Sequence, residues 1–503
     1  MTSTPLDSIR RRIASARRRR RGGISYPLES NGTGLFPASH TLEEMRDRQL
    51  KKKHRKRRPL FIQRMANAWW TRLLNAIYAG SLSSQDAEYN EHAPTLDYLW
   101  NTAGTAVWGF VFPLLTIVST QLVGAEEAGK FSLAFVVGTL LMIACNYGIR
   151  NFQVSDIEED HSFASYQINR WLCGIVAIGI GILYTLLHGY DATMTWISLG
   201  VYVYKVIDGI ADVYEGRLQQ ADKLYLAGIS QTIRSLGVCI VFSLLLFITR
   251  SMMVAAIGMG IAAIVSLALL TVPLALFETE KSRGPAVSEI FSLFASCAPL
   301  FLALMLFNLI ESMPKFVMEG ALPYKNQLYF NALYFPAQAI LLSIGFVYKP
   351  QLLRLSNIWA NPNKRKRFDF IVLALIGIVI VITALVGAFM AAVGVDLLGV
   401  FYGLDFERFR TLAYLMVAAG GITAAIDFLY AILTVLRRAG DVTRIYLIGF
   451  AASVVLPLVL VNTLGLTGAV VSYVAVMALL LVLLAFEYIK IRRSIDAESD
   501  PFA

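Results

Sequence analysis

Twelve stretches of mostly apolar residues, each long enough to cross a membrane, dominate the sequence from residue 97 to residue 488. A helix needs about 20 such residues to span the hydrocarbon core of a bilayer. The stretches cover roughly residues 97–119, 128–148, 170–188, 194–214, 225–247, 253–276, 291–312, 328–348, 369–393, 411–436, 444–463 and 466–488. The mean hydropathy of the chain, +0.58, is also higher than a soluble globular protein accommodates. The sequence therefore predicts an all-α, polytopic membrane protein with twelve transmembrane helices.

Basic residues are concentrated in the loops that share a side with the N-terminus, and the opposite loops are much poorer in them. Short loops rich in Lys and Arg stay on the cytoplasmic side of a membrane. Both termini are therefore predicted to be cytoplasmic. The residues concerned are Arg150, Arg170, Arg217, Lys223, Lys281, Arg283, Lys349, Arg354, residues 364–367, Arg437, Arg438, Arg444 and Arg492.

A weak internal repeat relates the two halves of the chain. LVGAEEAGKFSLAF at residues 122–135 parallels LPYKNQLYFNALYF at residues 322–335, at the same place in its hairpin. Each half has an even number of spans, so the pseudo-twofold axis runs along the membrane normal, with a ligand cleft between the halves. The predicted segments are a six-helix bundle at 96–277, a cytoplasmic linker at 278–290, a second six-helix bundle at 291–490 and a cytoplasmic tail at 491–503.

The N-terminal region is strongly basic, because residues 1–95 hold 19 Lys and Arg against 8 Asp and Glu. Residues 1–59 cannot bury a core and are predicted to be a disordered cytoplasmic tail. Residues 60–80 repeat apolar pairs every four residues, which predicts an amphipathic helix. Its apolar face holds Trp69 and Trp70, and its polar face holds Arg64 and Arg72. Anionic lipid is the expected partner, nucleic acid is the weaker interpretation, and residues 81–95 form a linker.

Charged residues inside the fourth and fifth spans point to a polar interior in the first half. Lys205, Asp208 and Asp212 are spaced three and four apart and share one helix face. Arg234 in the next span lies at a similar depth. Such charges face the bundle interior or a water-filled cavity. Two interpretations remain open: Arg234 and Asp208 pair to lock the hairpin, or Lys205 and Arg234 bind an anionic head group while the carboxylates act as counter-charges.

The second half offers two more candidate positions. Asn308, Glu311 and Lys315 are spaced three and four apart, and Pro314 beside them is expected to break the helix. An interfacial ion pair or a contribution to the binding site would explain this group. Asp427 stands alone among apolar residues of the tenth span, and a lone buried acid is costly, which makes it a candidate for coupling or counter-charge.

Catalysis has little support in the sequence. There is no HExxH, Walker, GxSxG or DxD-like motif, the five histidines are scattered, and the four cysteines lie singly in apolar segments. The chain is predicted not to be an enzyme and to hold no metal.

Several strings resemble the polysaccharide-repeat-unit flippases of the multidrug/oligosaccharidyl-lipid/polysaccharide exporter superfamily, in the Wzx-like and teichoic-acid-repeat branch. The resemblance covers roughly residues 95–490. It rests on LWNTAGTAVWGFVFPLL from Leu99, GIRNFQVSD from Gly148, DGIADVYEGRLQQADKL at 208–224, and ESMPKFVMEG at 311–320 followed by FNALYFPAQAI at 330–340.

The resemblance implies alternating access and an undecaprenyl-diphosphate-linked saccharide, carried to the outer leaflet of the bacterial plasma (inner) membrane. It implies substrate binding by Lys205, Arg234 and Lys315, with Asn308 beside them. We assign coupling or counter-charge to Asp208, Asp212, Asp427 and Glu311, with H⁺ or Na⁺ as the coupling ion and no other cofactor. The basic N-terminal region lies outside the family pattern, and glycan-assembly enzymes are a further partner to consider for it.

Three alternatives remain. A cation-coupled small-molecule exporter of the same superfamily would have a smaller cavity with an acidic and aromatic lining. A membrane glycosyltransferase would need a long extracytoplasmic loop, whereas the predicted outer loops are short. A scaffold that recruits enzymes would depend on the basic tail.

Overall fold

The computed structural model describes residues 82–156, 159–348, 352–359, 365–436 and 439–499. The chain divides into two units, 1–85 and 86–503, and of the first unit only residues 82–85 are described. The predicted tail at 1–59 and the predicted amphipathic helix with Arg64, Trp69, Trp70 and Arg72 lie outside the described residues.

Seven helices make up the first half of the described chain. They are α1 (Leu82–Val123), α2 (Ala125–Asn146), a short α3 (Ile149–Ser155), α4 (Phe163–Leu187), α5 (Ala192–Gln220), α6 (Leu224–Thr249) and α7 (Met252–Glu278). A π-helical turn, Leu267–Thr271, interrupts α7.

The second half repeats this order. It contains α8 (Val287–Ala321), α9 (Lys325–Tyr348), a short α10 (Leu352–Trp359), α11 (Arg365–Phe389, continued through a π-helical turn to Tyr402), α12 (Arg410–Val435), α13 (Ala439–Leu464) and α14 (Leu466–Ser499).

Local chemistry explains several helix boundaries. Gly124 has a φ of 91°, which favours glycine, and it forms the turn between α1 and α2. The side chains of Ser162, Asp191 and Ser251 accept hydrogen bonds from backbone N–H groups in the first turns of α4, α5 and α7. Such caps satisfy donors that a helix start leaves free.

In the described part of the chain, eleven helices are long and apolar enough to cross a membrane. The remaining long helix, α5, has 29 residues, but it carries the charged residues that the sequence places in the fourth span. It packs between α2, α4 and α7, as an inner helix of the bundle. The chain is a multi-pass, all-α membrane protein.

The same helix pairs pack in both halves, which confirms the internal repeat. Counting only the long helices of each half, the second packs on the fourth, as α2 on α5 and as α9 on α12. The fourth long helix packs on the sixth, as α5 on α7 and as α12 on α14. The two second helices, α2 and α9, also contact each other across the halves. The repeated hairpins therefore meet at the centre of the molecule.

Three expectations about individual residues need correction. Pro314 does not break its helix, since α8 continues through it to Ala321; neighbouring helices tolerate such prolines in membrane proteins. Arg170 is not a loop residue, because α4 begins at Phe163 and Arg170 is fully buried within it. The segment predicted as a linker before the first span is helical from Leu82, in continuation of that span.

Two ends of the bundle are distinguished below. The terminal side is where α1 and α8 begin, and the far side is where α1 turns into α2 at Gly124 and α8 turns into α9 at Leu322–Tyr324.

Candidate functional site

The charged face of α5 forms the core of the candidate site. Lys205, Asp208 and Glu215 on this helix are 3%, 6% and 4% exposed, so they lie inside the first half. Burial of this kind is costly unless each charge finds a partner. The site is therefore defined by which charges are paired and which are not.

Arg234 of α6 is paired twice. Its Nε and Nη2 lie 2.9 and 2.8 Å from Asp208 Oδ1, and its Nη1 donates to Glu215 Oε1 at 2.7 Å. The π-helical turn of α7 adds Thr271, whose hydroxyl lies 3.3 Å from Nη1. Trp108 of α1 donates its indole N–H to the other Asp208 oxygen. These bonds confirm the predicted Arg234–Asp208 pair and join four helices, α1, α5, α6 and α7.

Asp212, one turn nearer the terminal side, belongs to a second group. It is bonded to Arg150 of α3, and its Oδ2 lies 3.0 Å from Arg170 Nη2. Arg170 also donates to Asn146 Oδ1 at 2.6 Å. The side chain of Asp212 is 21% exposed, so this end of the charged face approaches the terminal side. Three arginines are thus set against three carboxylates.

Lys205 is not part of these ion pairs. Its Nζ lies 4.9, 4.2 and 5.2 Å from the ring centres of Trp108, Phe135 and Tyr204. Among the described residues, no carboxylate oxygen lies within 4.0 Å of it. Cation–π contacts offset part of the cost of burying an ammonium, but they do not neutralise it. Lys205 is therefore a buried cation that makes no direct ion pair with a described residue.

Lys315 is the corresponding cation of the second half. Its Nζ lies 5.7 and 5.2 Å from the ring centres of Phe330 and Tyr334, and no ion pair joins it to Glu311. The ion pair expected from the spacing is not formed, because the Glu311 carboxylate instead accepts the hydroxyls of Tyr334 and Tyr473 at 3.0 and 3.2 Å. The spacing correctly placed Glu311 and Lys315 on one face of the helix. It did not identify which groups contact the carboxylate and the ammonium.

The two remaining candidates make simpler contacts. Asp427 is not alone, because the hydroxyl of Tyr348 donates to its carboxylate. Asn308 donates its side-chain amide to the Leu304 carbonyl at 2.9 Å, a bond within its own helix.

The structure thus brings Lys205, Asp208, Asp212 and Arg234 into one region of the first half. It places Asn308, Glu311 and Lys315 on α8 and Asp427 on α12. Lys205, Arg234 and Lys315 are each 8% exposed or less, so these side chains are closed off from solvent in this conformation. Sequence reasoning missed Trp108 and Glu215 and treated Arg150 and Arg170 as loop charges. Glu215 shares the face of Asp208 and Asp212, so these three carboxylates outnumber Lys205 and Arg234, which was the sequence signal for further cations such as Arg150 and Arg170.

Contacts between the halves close the far side at three places. Thr116 and Tyr402 share a hydrogen bond of 3.1 Å at one edge. At the centre, both carboxylate oxygens of Glu126 accept backbone N–H groups at the start of α9, each at 3.1 Å. At the other edge, Glu319 of α8 accepts the hydroxyl of Tyr184 at 2.6 Å and that of Tyr190.

Contacts on the terminal side involve the linker that joins the halves. Lys223 lies 3.2 Å from Glu278, and Arg217 donates to the Glu280 carbonyl at 2.9 Å. Glu289 at the start of α8 accepts the Ser162 N–H at 2.9 Å and the Ser165 hydroxyl at 2.8 Å. The linker and the start of α8 are therefore fixed to the first half.

Comparison with known proteins identifies the fold. No family model matches the sequence, and no curated protein matches it. A solved structure of the inward-facing conformation of a multidrug resistance MATE family transporter of the MOP superfamily is similar, with a TM-score of 0.57 and 12% identity over 80% of this chain and 99% of that chain.

Two further solved structures have a fold similar to that of this chain. A MOP superfamily transporter from Pyrococcus furiosus, described as having a binding pocket of reverse polarity, gives a TM-score of 0.58 at 12% identity, over 80% of this chain and 95% of that one. The Vibrio cholerae MATE transporter VcmN in its bent form gives 0.52 at 13% identity, over 80% and 98% of the two chains. The two-lobed fold of the MATE transporters is thus shared by this chain.

Proposed function

We propose that this protein moves an undecaprenyl-diphosphate-linked oligosaccharide or polysaccharide repeat unit across the bacterial plasma membrane by alternating access. The terminal side lies in the cytoplasm, and the saccharide leaves on the far side. The transporter fold and the absence of the enzyme motifs sought in the sequence support transport rather than catalysis.

The observation that carries this proposal is the pair of buried ammonium groups, Lys205 and Lys315, which contact aromatic rings and, among the described residues, lie within 4.0 Å of no carboxylate oxygen. An unpaired buried cation is costly, and an anionic ligand removes that cost. Phosphate oxygens are strong acceptors, and lysine supplies a compact cation for them. A diphosphate head group fits this need, whereas Arg150, Arg170 and Arg234 are already bonded to carboxylates.

The two ammonium groups lie at different depths. Lys205 is 13 residues from the far end of α5 and Lys315 is 6 residues from the far end of α8. At 1.5 Å per residue these positions are about 20 Å and about 9 Å from the far ends of their helices. The head group therefore meets Lys205 first and Lys315 later. Arg234 can bind the head group only if a phosphate displaces Asp208 or Glu215 from its guanidinium.

Lys205 is enclosed by rings of α1, α2 and α5, so its exposure requires these helices to shift as the halves move apart on the terminal side. The contacts to the linker fix one edge there, so this edge acts as the hinge of the movement. The far-side contacts of Glu126, Glu319 and Thr116 hold the opposite end closed meanwhile.

The test is the substitution Lys205→Gln. A charge-assisted hydrogen bond to phosphate contributes about 1.5–3 kcal/mol, so we expect translocation to slow about ten- to hundredfold. The rate is measured in proteoliposomes, as the appearance of the undecaprenyl-diphosphate-linked saccharide in the leaflet accessible to periodate.

The matched control is Lys490→Gln. Lys490 is 64% exposed and pairs with Glu487 at 3.1 Å near the end of α14, so its loss should leave translocation unchanged. If the double variant K205Q/K315Q is folded and translocates at the parent rate, the proposal is wrong.

A second candidate function is cation-coupled export of small molecules. The second half favours it, because Glu311 is surrounded by Tyr334 and Tyr473, and Asp427 by Tyr348. Acidic and aromatic groups of this kind suit a cationic substrate or an H⁺ or Na⁺ coupling site. A drug-efflux assay separates the two functions: an exporter lowers the cellular concentration of a cationic dye, whereas loss of a flippase causes lipid-linked intermediates to accumulate.

A further inference from the structure

A cavity of about 650 Å³ opens between the halves on the far side, away from the charged face of α5. Its walls come from α2, the α4–α5 loop, the first turn of α5, α8 and the α8–α9 turn. The lining residues are Glu126, Lys130, His188, Gly189, Tyr190, Asp191, Met194, Phe316, Glu319, Gly320 and Tyr324. This volume is in the range of small-molecule binding sites.

The lining combines aromatic rings with carboxylates. Tyr184, behind the cavity wall, stacks on His188 with ring centres 4.0 Å apart, and it lies 6.2 Å from Phe316. Three carboxylates and one ammonium line the cavity, and that ammonium, Lys130, pairs with Glu127 at 2.7 Å. The cavity therefore carries excess negative charge, which disfavours phosphates and acidic sugars.

Glu319 is the central acceptor of this cavity. Its two oxygens are bonded to the hydroxyls of Tyr184 and Tyr190, one to each. Burial and the charge of Glu319 raise the pKa of Tyr190 above its ordinary value, so the phenol keeps its proton and remains a donor. The Glu319 carboxylate accepts one hydroxyl on each oxygen. Two neighbouring hydroxyls of a sugar can donate to the same two oxygens in the same way.

We propose that the far-side cavity binds the saccharide part of the substrate, with sugar hydroxyls replacing those of Tyr184 and Tyr190 on Glu319. The inference rests on the proposed function and assigns the cavity to uncharged or amino sugars. Because the Glu319 bonds hold the two halves together, the same exchange loosens the far side when the saccharide arrives.

The site can be tested without transport, by thiol labelling of Gly320→Cys in purified protein. A Cβ at Gly320 meets no atom within 4 Å, so the substitution fits. The four native cysteines are buried and react slowly. Maltotriose is the uncharged probe, and trigalacturonate is the anionic probe of similar size. At about four times its Kd maltotriose fills about 80% of sites, so labelling slows about fivefold.

Two variants in the Gly320→Cys background give opposite results. Glu319→Gln removes the charged acceptor, and we expect the Kd of maltotriose to rise about tenfold. Tyr190→Phe removes a competing hydroxyl, so the Kd should fall. Gly284→Cys is the matched control, since it is exposed on the terminal side with no atom within 4 Å of its Cβ, and maltotriose should not protect it.

Absence of protection by maltotriose, equal protection by trigalacturonate, or a higher Kd in Tyr190→Phe would overturn the inference. Continued slow labelling of the four buried native cysteines in each variant shows that the protein is folded. Translocation without protection would refute this site alone. Protection in a protein that does not translocate the lipid-linked saccharide would refute the proposed function alone.

Discussion

Replacement of Arg234 by Gln is expected to lower the free energy of unfolding by about 3–5 kcal/mol, because it leaves Asp208 and Glu215 buried without their cation. Both carboxylate side chains are 5% exposed or less. Glutamine can replace at most one of the hydrogen bonds and none of the charge. SDS titration of the purified protein in mixed micelles measures the difference.

A double-mutant cycle identifies the cause. Asp208→Asn together with Arg234→Gln should cost less than the sum of the single changes, since the pair is removed as a unit. Arg410→Gln is the matched control: this arginine is 37% exposed and pairs with the exposed Glu407, so its loss should cost less than about 1 kcal/mol. An Arg234→Gln protein as stable as the control would contradict a structural role for the pair.

The second large effect is expected from Gly129→Val on α2. A Cβ at this position would lie 2.0 Å from the Tyr324 carbonyl oxygen and 2.3 Å from its carbon, so the two hairpins could not remain in contact. Overpacking typically costs about 1–3 kcal/mol. The ratio of far-open to far-closed protein should therefore rise about five- to hundredfold.

Met318→Cys reports this change. Met318 is 1% exposed at the far end of α8, so a thiol there reacts with maleimide only when the far side opens. Its labelling rate should rise in the Gly129→Val protein in proportion to the open population. Gly109→Val on α1 provides the control, because a Cβ there meets no atom within 4 Å. An unchanged labelling rate would show that the hairpin contact does not close the far side.

The sequence was sufficient to predict the fold because the bilayer restricts what a chain can form. Apolar length identified the spans, and the repeat at residues 122–135 and 322–335 identified the halves. Helical spacing also placed Lys205, Asp208 and Asp212 on one face, and depth predicted the Arg234–Asp208 pair correctly.

The partners of the other charges could not be predicted in this way. Glu311 and Lys315 are separated by four residues, yet the carboxylate is satisfied by Tyr473 from a helix 162 residues away in the chain. Arg170 was interpreted as a basic loop residue that orients the chain in the membrane, because the third span was expected to begin at residue 170. The helix α4 in fact starts seven residues earlier. Such pairings depend on the rotation and depth of packed helices, which residue spacing within one segment does not define.

The bonds of Glu289 to Ser162 and Ser165 bear on how a lipid can reach the interior of the protein. They join α8 to α4 on the terminal side, and the linker attached to α5 reinforces the same edge. Any lateral gap that admits a prenyl chain from the inner leaflet must then form at the other edge, where Phe110 of α1 contacts Phe335 of α9. For the lipid-linked substrate that we propose, this leaves one direction of approach, and the long tail would remain on that flank throughout the crossing.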